Sequence, residues 1–284
     1  MQIYQDLNEA FVESLRFVKN HGHNVESRGS KQREVLSYSM MIKDPTALAI
    51  EVPARKFKPN YATTEWLWYL SATKSAANIG KLASIWQKIA DGRAEVESNY
   101  GSYILGKQWD FCVQEMLKDP DTRRATIAIN QPYHKSQNPN DYPCTQYIQF
   151  FIRENKLHLC VNMRSNDAVF GFCNDVFTFC MFQQLMLNDL NSRFVEGFPI
   201  ELGNYYHHAG SFHVYEMHWS MMDKILSNYY AKVFVDGWPK LNKFKLSNTI
   251  TTENYIRHAL PITEMSKEEI SEFTKVQMEI IYEQ

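Results

Sequence analysis

The sequence predicts an α+β protein in which a β-sheet packs against one buried helix. Three extended segments follow one another in the middle of the chain, and their apolar and polar residues alternate as in half-buried strands. A long, mostly apolar segment over 175–190 then has the composition of a buried central helix. No repeat or Gly/Ser/Pro-rich linker divides the 284 residues, so we predict a single domain over 1–284.

In the first part of the chain, residues 3–19 carry apolar side chains at helical spacing and predict an amphipathic helix. A polar stretch follows over 21–33, and the alternation over 35–42 predicts a strand. An aromatic-rich helix is predicted to open at Thr64, a candidate N-cap. The side chains expected on one side of the strand are Leu36, Tyr38, Met40 and Ile42.

The rest of the chain supplies the predicted sheet. Residues 116–121 have the pattern of a helix end and a turn, and strands are predicted over 125–130, 147–153 and 157–163. A short extended segment is expected over 212–215. The tail over 266–282 begins with Ser266-x-x-Glu269, the capping-box pattern of a helix start, and continues as an amphipathic helix.

Composition excludes several classes of protein. A formal net charge of -2 argues against a general nucleic-acid binder, and no apolar run approaches the roughly 20 residues of a membrane span. The first residues lack the basic start and apolar core of a signal peptide. Five cysteines, an odd number without CxxC spacing, predict reduced thiols rather than disulfides or zinc. We therefore expect a cytoplasmic protein without a metal site.

Cys144 is the candidate nucleophile. It follows Tyr142-Pro143, and the proline restricts the backbone that sets the direction of the sulfur. A thiolate is a strong nucleophile, and neighbouring cations lower the pKa of a thiol. The alternative is a small buried apolar residue. We keep that interpretation for the remaining cysteines, which are Cys112, Cys160, Cys173 and Cys180.

Three arginines are candidate anion ligands. Arg123 and Arg124 are adjacent, and paired guanidinium groups suit a phosphate, although a solvated turn is the alternative. Arg164 ends an apolar strand, where a buried guanidinium needs an anion or a carboxylate nearby. A salt bridge with Asp167 is the competing interpretation.

Two carboxyl groups and one pair of aromatic residues complete the candidates. Glu65 lies among aromatic residues that would raise its pKa and suit it to proton transfer, unless it lies on the surface. Asp175 opens the predicted central helix, where a carboxylate is usually a helix-start feature. His213 and Tyr215 would point to one side of a strand. They would hold a ligand hydroxyl or, alternatively, satisfy each other's hydrogen-bonding groups in the core.

The ordered series of motifs resembles the thymidylate synthase superfamily over most of the chain. The matching residues are Glu65, Ile85-Trp86, Tyr100-Gly101, the Asp-Pro-Asp-Thr-Arg-Arg motif at 119–124, Pro143-Cys144, Arg164-Ser165-x-Asp167, Gly171 and Gly210-x-x-His213-x-Tyr215. The resemblance implies a thymidylate synthase-like fold, a mixed β-sheet packed on a buried central helix. It also implies that one side of the sheet forms a homodimer interface.

The resemblance further implies a reaction between a deoxypyrimidine monophosphate and 5,10-methylenetetrahydrofolate. Cys144 would add to carbon 6 of the pyrimidine, and Glu65 would organise water and proton transfers. The phosphate ligands would be Arg28, Arg123, Arg124, Arg164 and Ser165, with Arg123 and Arg124 reaching across the dimer and Arg33 as a rival to Arg28. His213 and Tyr215 would hold the sugar, and Trp86, Tyr100, Asp167 and Gly171 would line the folate site.

Three departures from the synthase pattern refine this expectation. Asp175 stands where the synthases carry an asparagine that reads uracil, Thr145 replaces a histidine, and residues 278–284 replace the usual closing peptide by an apparent helix. A carboxyl group accepts a hydrogen bond from the cytosine amino group. With Asp175 at this position, aided by Asn174 or an ordered water, the chain resembles the phage deoxycytidylate hydroxymethylases, which work in the host cytoplasm.

Several alternatives stay open at this point. A deoxycytidylate methyltransferase would share Asp175 but reduce the methylene group, and the retained Trp86 is compatible with it. A deoxyuridylate hydroxymethylase or thymidylate synthase would need a protonated Asp175. An inactive homologue that binds nucleotide or RNA is the alternative outside enzymes. No DNA binding and no membrane partner are expected.

Overall fold

The computed structural model of the chain describes residues 1–136, 140–193, 199–236, 243–259 and 265–283. The strands are β1 (Gln2–Tyr4), β2 (His23–Ser27), β3 (Ser30–Ile42), β4 (Thr126–Ala128), β5 (Thr145–Arg153), β6 (Lys156–Asp167), β7 (Glu201–Tyr215), β8 (Lys243–Phe244) and β9 (Tyr282–Glu283). The helices are α1 (Leu7–His21), α2 (Pro59–Leu70), α3 (Ile79–Leu82), α4 (Ser84–Ala90), α5 (Gly101–Ile104), α6 (Lys107–Lys118), α7 (Gly171–Arg193), α8 (Trp219–Asp236), α9 (Thr252–Ala259) and α10 (Lys267–Ile281).

Within these residues, seven strands form one mixed sheet. Its order is β1-β3-β7-β6-β5-β4, with β2 added to β3 as a hairpin. The pairs β1–β3 and β6–β7 are parallel, and the other neighbours are antiparallel. The predicted α+β class is thereby confirmed. The register places Ser165 beside Ser211 and both Asp167 and Glu34 beside His213, so polar residues of three strands meet in one row.

Helix α7 is the predicted buried central helix. It packs on β6 and β7 and is apolar on nearly every side, as expected of a helix surrounded by protein. It begins at Gly171, so Asp175 lies one turn inside the helix rather than at its start, contrary to the expectation. The carboxyl group is therefore not a helix cap, and its hydrogen-bond partners come from elsewhere.

The N-terminal helix begins later than predicted. Asp6 caps α1 by accepting a hydrogen bond from the amide of Glu9 at 2.8 Å, and the residues before it form β1. The polar stretch over 21–33 is largely a β-hairpin, which the low apolar content concealed. Its turn places Arg28 and Gly29 at positive φ, of 49° and 73°.

One residue of β3 faces the wrong way relative to the prediction. Tyr38, Met40 and Ile42 are buried together, whereas Leu36 is 70% exposed. Ser37, between these two groups, has a φ of 54°, which breaks the regular alternation of the strand. The period-2 pattern cannot reveal such a break, because it assumes extended backbone throughout.

The boundaries of other elements differ as well. Helix α2 starts at Pro59, so Thr64 is an interior residue whose hydroxyl donates to the carbonyl of Asn60, not an N-cap. Strand β4 is shorter than predicted and β7 is much longer, at 15 residues. The capping box is confirmed: the Ser266 amide donates to the Glu269 carboxylate, and the Glu269 amide donates to the Ser266 hydroxyl.

Helix α10 packs against α2, and the two are joined by a 2.8 Å hydrogen bond between the hydroxyls of Thr64 and Thr274. The predicted helical C-terminus holds as far as Ile281, after which β9 pairs with β8. Gln284 lies outside the described residues. Among the helices described, none is both long and apolar enough to cross a membrane.

Candidate active site

Cys144 lies directly before β5, at the point where the chain enters the sheet. Its amide donates to the hydroxyl of Tyr100 at 3.3 Å, and its carbonyl accepts from the amide of Arg164 on β6 at 2.8 Å. Two elements therefore hold the backbone of the candidate nucleophile. All five cysteines of the chain are free thiols, and Cys144 is half-buried, whereas Cys112, Cys173 and Cys180 are fully buried.

Arg164 is the charged group nearest the sulfur. Its Nη2 lies 3.7 Å from Cys144 Sγ and 2.8 Å from the carbonyl of Tyr142, while its Nε donates to the carbonyl of Pro143. Burial raises the pKa of the Cys144 thiol, and the positive charge of Arg164 opposes that rise. The predicted ion pair with Asp167 is absent from the contacts of these two residues: Asp167 instead accepts from the amides of Val169 and Phe170.

A cavity of about 680 Å³ opens beside Arg164. The predicted substrate ligands around it are Arg28, Arg164, Ser165, His213 and Tyr215. Arg33 contacts Asn24 and stacks on Trp219, so the geometry favours Arg28 over its rival. Two guanidinium groups and hydroxyl donors around one cavity make a suitable site for a phosphate.

His213 and Tyr215 lie close together on β7, with ring centroids 4.8 Å apart. Burial lowers the pKa of His213, so the imidazole is neutral near pH 7, and its Nε2 has no hydrogen-bond partner within the described residues. Its Nδ1 lies 3.3 Å from the hydroxyl of Ser211, which in turn bonds the carboxylate of Glu34. Glu34 was not among the predicted residues; only the strand register reveals its place.

Glu65 is 7% exposed on α2. Tyr61, one turn earlier, donates its hydroxyl to Glu65 Oε1 at 3.0 Å, and the indole of Trp86 donates to the Tyr61 oxygen at 3.0 Å. Burial raises the pKa of Glu65 to about 7, although hydrogen bonds from Tyr61 and Trp86 oppose the rise. The group is thus suited to exchange protons near neutral pH. Tyr61 was missed by the sequence reasoning, since only helical spacing links it to Glu65.

Asp175 projects from α7 toward the end of β6, where Asn166 Nδ2 donates to Asp175 Oδ2 at 2.8 Å. Burial raises the pKa of Asp175 well above its usual range, the charge of Glu65 raises it further, and the bond from Asn166 opposes both. The charge of Asp175 also raises the pKa of Cys144. Asn166 lies two residues after Arg164 on β6, so the strand that carries the cation beside the sulfur also carries the partner of Asp175. Asn174 is half-buried, but adjacent residues of a helix do not face the same point.

The four predicted folate residues surround these groups. Tyr100 stacks on Tyr69 at 5.4 Å, and Trp86 is 6% exposed with its indole turned toward Tyr61. Gly171 lies beside Asp175: a Cβ there would be in ordinary van der Waals contact, 3.4 Å from Asn166 Nδ2 and 3.5 Å from Asp175 Oδ2. These aromatic walls and this opening beside Asp175 fit a flat heteroaromatic ligand.

Arg123 and Arg124 are placed elsewhere. Both are exposed on the loop before β4, and Arg124 is 3.4 Å from Glu115. Neither lines the cavity beside Arg164. Their exposed position is compatible with binding phosphate in the site of a second subunit, and that role stays a prediction.

Comparison with known proteins places this constellation in one family. The thymidylate synthase family model matches residues 9–266. The deoxycytidylate 5-hydroxymethyltransferase of Enterobacteria phage T6 is 32% identical over 230 residues, which cover 75% of this chain and 89% of the relative. The deoxyuridylate hydroxymethyltransferase of Bacillus phage SP01 is 24% identical over 246 residues, covering 80% of this chain and 59% of the relative.

A solved structure, the thermostable thymidylate synthase A from Bacillus subtilis, superposes with a TM-score of 0.68 at 17% identity, covering 93% of this chain and 94% of that one. The predicted thymidylate synthase-like fold is thereby confirmed. The family's enzymes use 5,10-methylenetetrahydrofolate as co-substrate. From the family model, the relatives and the fold together, it follows that the chain belongs to the thymidylate synthase family of folate-dependent one-carbon transferases.

Proposed function

We propose that this enzyme is a deoxycytidylate 5-hydroxymethyltransferase. It would convert dCMP, water and 5,10-methylenetetrahydrofolate to 5-hydroxymethyl-dCMP and tetrahydrofolate. The observation that carries the proposal is the partly buried carboxyl group of Asp175, whose pKa is raised by burial and which accepts a hydrogen bond from Asn166, two residues after Arg164 on β6. A protonated carboxyl donates to the ring nitrogen and accepts from the amino group of cytosine, so it pairs with that edge.

The chain's residues would act in a fixed order. Arg28, Arg164 and Ser165 hold the phosphate, and His213 Nε2 accepts from a sugar hydroxyl. The Cys144 thiolate then adds to carbon 6, which makes carbon 5 nucleophilic. The folate co-substrate supplies the one-carbon unit that becomes bonded to carbon 5.

Loss of the proton from carbon 5 would be accompanied by cleavage of the bond between the one-carbon unit and the folate nitrogen, so that tetrahydrofolate leaves. A methylene group then remains on the ring, which is still bonded to Cys144 through carbon 6. Water adds to the methylene carbon, the double bond between carbons 5 and 6 forms again, and the thiolate leaves. Glu65, with a pKa of about 7, accepts the proton of that water, and Tyr61 fixes the direction of its carboxyl group. Trp86, Tyr100, Asp167 and Gly171 would hold the folate.

Hydration rather than reduction is favoured by the similarity to the phage T6 deoxycytidylate 5-hydroxymethyltransferase, whose name states transfer of a hydroxymethyl group.

The test measures product and folate together. The protein is incubated with methylenetetrahydrofolate and either dCMP or dUMP, and the nucleotide product is identified by mass. We expect 5-hydroxymethyl-dCMP without dihydrofolate. Dihydrofolate in equal amount to a methylated product would instead establish a deoxycytidylate methyltransferase or a thymidylate synthase.

A second candidate is deoxyuridylate hydroxymethylation, which the similarity to the phage SP01 enzyme favours. A protonated Asp175 can donate to the carbonyl of uracil, so the carboxyl group alone does not exclude this substrate. Turnover of dUMP much faster than dCMP would replace our proposal by this one.

An inactive nucleotide- or RNA-binding homologue is the remaining alternative. Release of tritium from carbon 5 of labelled dCMP requires the covalent adduct with Cys144. We expect release by the parent protein and almost none by Cys144→Ser, with Cys160→Ser as the matched control because Cys160 lies in β6. No release by the parent at any folate concentration would support the binding protein.

A further inference from the structure

Asp175 is hydrogen-bonded to a chain of three buried side chains to which the proposed reaction gives no role. Asn166 Nδ2 donates to Asp175 Oδ2 at 2.8 Å, and Asn166 Oδ1 lies 3.0 Å from His207 Nε2. His207 Nδ1 lies 3.0 Å from the hydroxyl of Tyr205. Asn166, His207 and Tyr205 are at most 3% exposed, so water does not compete for the bonds among these three residues. The four residues, from β6, α7 and β7, are called the Asp175 relay below.

The direction of these bonds is set at the far end, by Tyr205. Its hydroxyl is fully buried, and His207 is its only hydrogen-bond partner among the described residues. If Tyr205 accepted from His207, its own O–H would be buried without an acceptor, which typically costs about 1–3 kcal/mol. Tyr205 therefore donates to His207 Nδ1.

Every other bond follows from that one. Burial lowers the pKa of His207 to about 3, so the ring is neutral and carries one proton. With Nδ1 accepting, the proton is on Nε2 and is donated to Asn166 Oδ1. The amide of Asn166 is thereby fixed with its nitrogen toward Asp175, and Asp175 Oδ2 is an acceptor.

We propose that the Asp175 relay makes the two oxygens of Asp175 unequal and so selects cytosine over uracil. Since Oδ2 accepts from Asn166, a proton on this carboxyl group resides on Oδ1. The group then presents a donor and an acceptor in one fixed order. Cytosine offers an acceptor at ring nitrogen 3 beside an amino donor, and uracil offers the reverse order.

This inference rests on the proposed function, because it names what keeps that site selective. A carboxyl group free to protonate either oxygen would match both pyrimidines in turn. In the proposed function Oδ1 faces ring nitrogen 3 and Oδ2 faces the substituent at carbon 4. With the proton fixed on Oδ1, uracil would then meet donor against donor and acceptor against acceptor, the arrangement that gives strong discrimination. Asn166, His207 and Tyr205 are thus positioning residues, since they act through Asp175.

Two variants test the relay. Tyr205→Phe removes only the hydroxyl that sets the direction, and Asn166→Ala removes the group bonded to Asp175. Matched controls are Tyr38→Phe, which removes a buried hydroxyl bonded to Tyr4 and Ser14, and Asn188→Ala, which removes a buried amide bonded to two backbone carbonyls. Neither Tyr38 nor Asn188 has Asp175 among its hydrogen-bond partners in the described part of the chain.

The measured quantity is the ratio of kcat/KM for dCMP to that for dUMP in tritium release. The same ratio is measured from equilibrium binding of the two nucleotides without folate. We expect the ratio to fall about tenfold in Tyr205→Phe, which loses one hydrogen bond, and further in Asn166→Ala, which loses two. The controls should change both substrates equally.

The outcomes separate the relay from the proposed function. A parent enzyme that prefers dCMP, with both relay variants folded and their ratios unchanged, overturns the relay and leaves the function standing. A parent that prefers dUMP overturns both. If Asn166→Ala fails to fold, Tyr205→Phe decides, because its loss of a single oxygen leaves the packing volume nearly unchanged.

Discussion

At the scale of single residues, the site depends on two carboxyl groups, one buried and one partly buried, that affect each other's protonation. Glu65 and Asp175 project from different helices, and the charge of Glu65 raises the pKa of Asp175. Two close carboxylates in a site of low polarity do not both ionise readily. The pair therefore holds a proton near neutral pH, and Asn166 and Tyr61 determine which oxygens carry it.

The first prediction concerns the stability cost of Glu65. Its pKa is about 7 in the folded protein against an ordinary value of 4.5, so the folded state binds the proton more tightly. Stability from this group is complete below pH 4.5 and is lost as the pH rises to 7. Relative to that of the parent, we expect the free energy of unfolding of Glu65→Gln to rise by on the order of 3 kcal/mol between pH 5 and pH 8.

Denaturant unfolding of both proteins at the two pH values measures this gain. Glu95→Gln is the control, because Glu95 is exposed. An equal effect of Glu65→Gln at pH 5 and pH 8 would show that Glu65 titrates normally in the folded protein.

The second prediction concerns substrate choice at Asp175. An amide at this position donates and accepts without a proton to lose, and it matches uracil. We expect Asp175→Asn to lower kcat/KM for dCMP by about 100-fold or more and to raise the relative rate with dUMP. Asp110→Asn, on the exposed side of α6, is the control. Unchanged preference in Asp175→Asn would place base recognition elsewhere.

At this scale, candidate reactive residues could be predicted from the sequence more readily than the residues that contact them. Cys144, Glu65, Arg164 and Asp175 were identified because their motifs are local and ordered. Glu34, Tyr61 and Asn166 were missed, since their roles depend on strand register or on the far side of a helix turn. No linear pattern records which residue lies opposite another across a sheet.

At the scale of elements, the site is held by short helices packed tightly on α2. Gly101, at the start of α5, lies so close to the carbonyl of Tyr69 that a Cβ would overlap it. Tyr100, the preceding residue, accepts from the amide of Cys144. The spacing between α5 and α2 therefore determines where the nucleophile's loop is anchored.

The third prediction follows from that contact. Gly101→Ala forces α5 away from α2, and overpacking of this kind costs about 1–3 kcal/mol. We expect a lower unfolding midpoint together with a reduced rate of tritium release, because Tyr100 moves with the helix. For stability, Gly171→Ala is the control, since its Cβ would meet no atom closer than 3.4 Å. Equal midpoints for Gly101→Ala and the parent would contradict the close packing.

Element types were easier to predict than their ends. The spacing of apolar residues identified α7, β5 and β6, because an element carries apolar residues on every side that is buried. It misplaced the start of α2 and the length of β7, where polar residues line a site instead of a core. The hairpin of β2 and β3 was concealed for the same reason.

At the scale of the whole molecule, the described sheet leaves one side without a helix layer over several polar positions. His158, Cys160 and Asn162 alternate with the buried residues of β6 on that side and are only partly buried. The family resemblance predicts that a second subunit covers them. The homodimer therefore stays a prediction.

The fourth prediction tests shared sites. If Arg124 serves the partner, Cys144→Ser and Arg124→Glu are each inactive alone. Mixed after dissociation, they form heterodimers in which one site combines an intact Cys144 with an intact Arg124. We expect random pairing to restore about a quarter of the parent's activity. Recovery of none, with dimers present by ultracentrifugation, would place Arg124 outside the partner's site.

The hydrogen bonds that hold the Arg164 side chain in place have a consequence for assays of this enzyme. Backbone carbonyls of Tyr142 and Pro143 already fix the guanidinium, and the ring of Tyr142 lies 4.9 Å from it. A preorganised cation requires little ordering when an anion arrives. Inorganic phosphate or sulfate in the buffer will then act as a competitor of the nucleotide, so apparent Michaelis constants should rise with such salts and not with chloride at equal ionic strength.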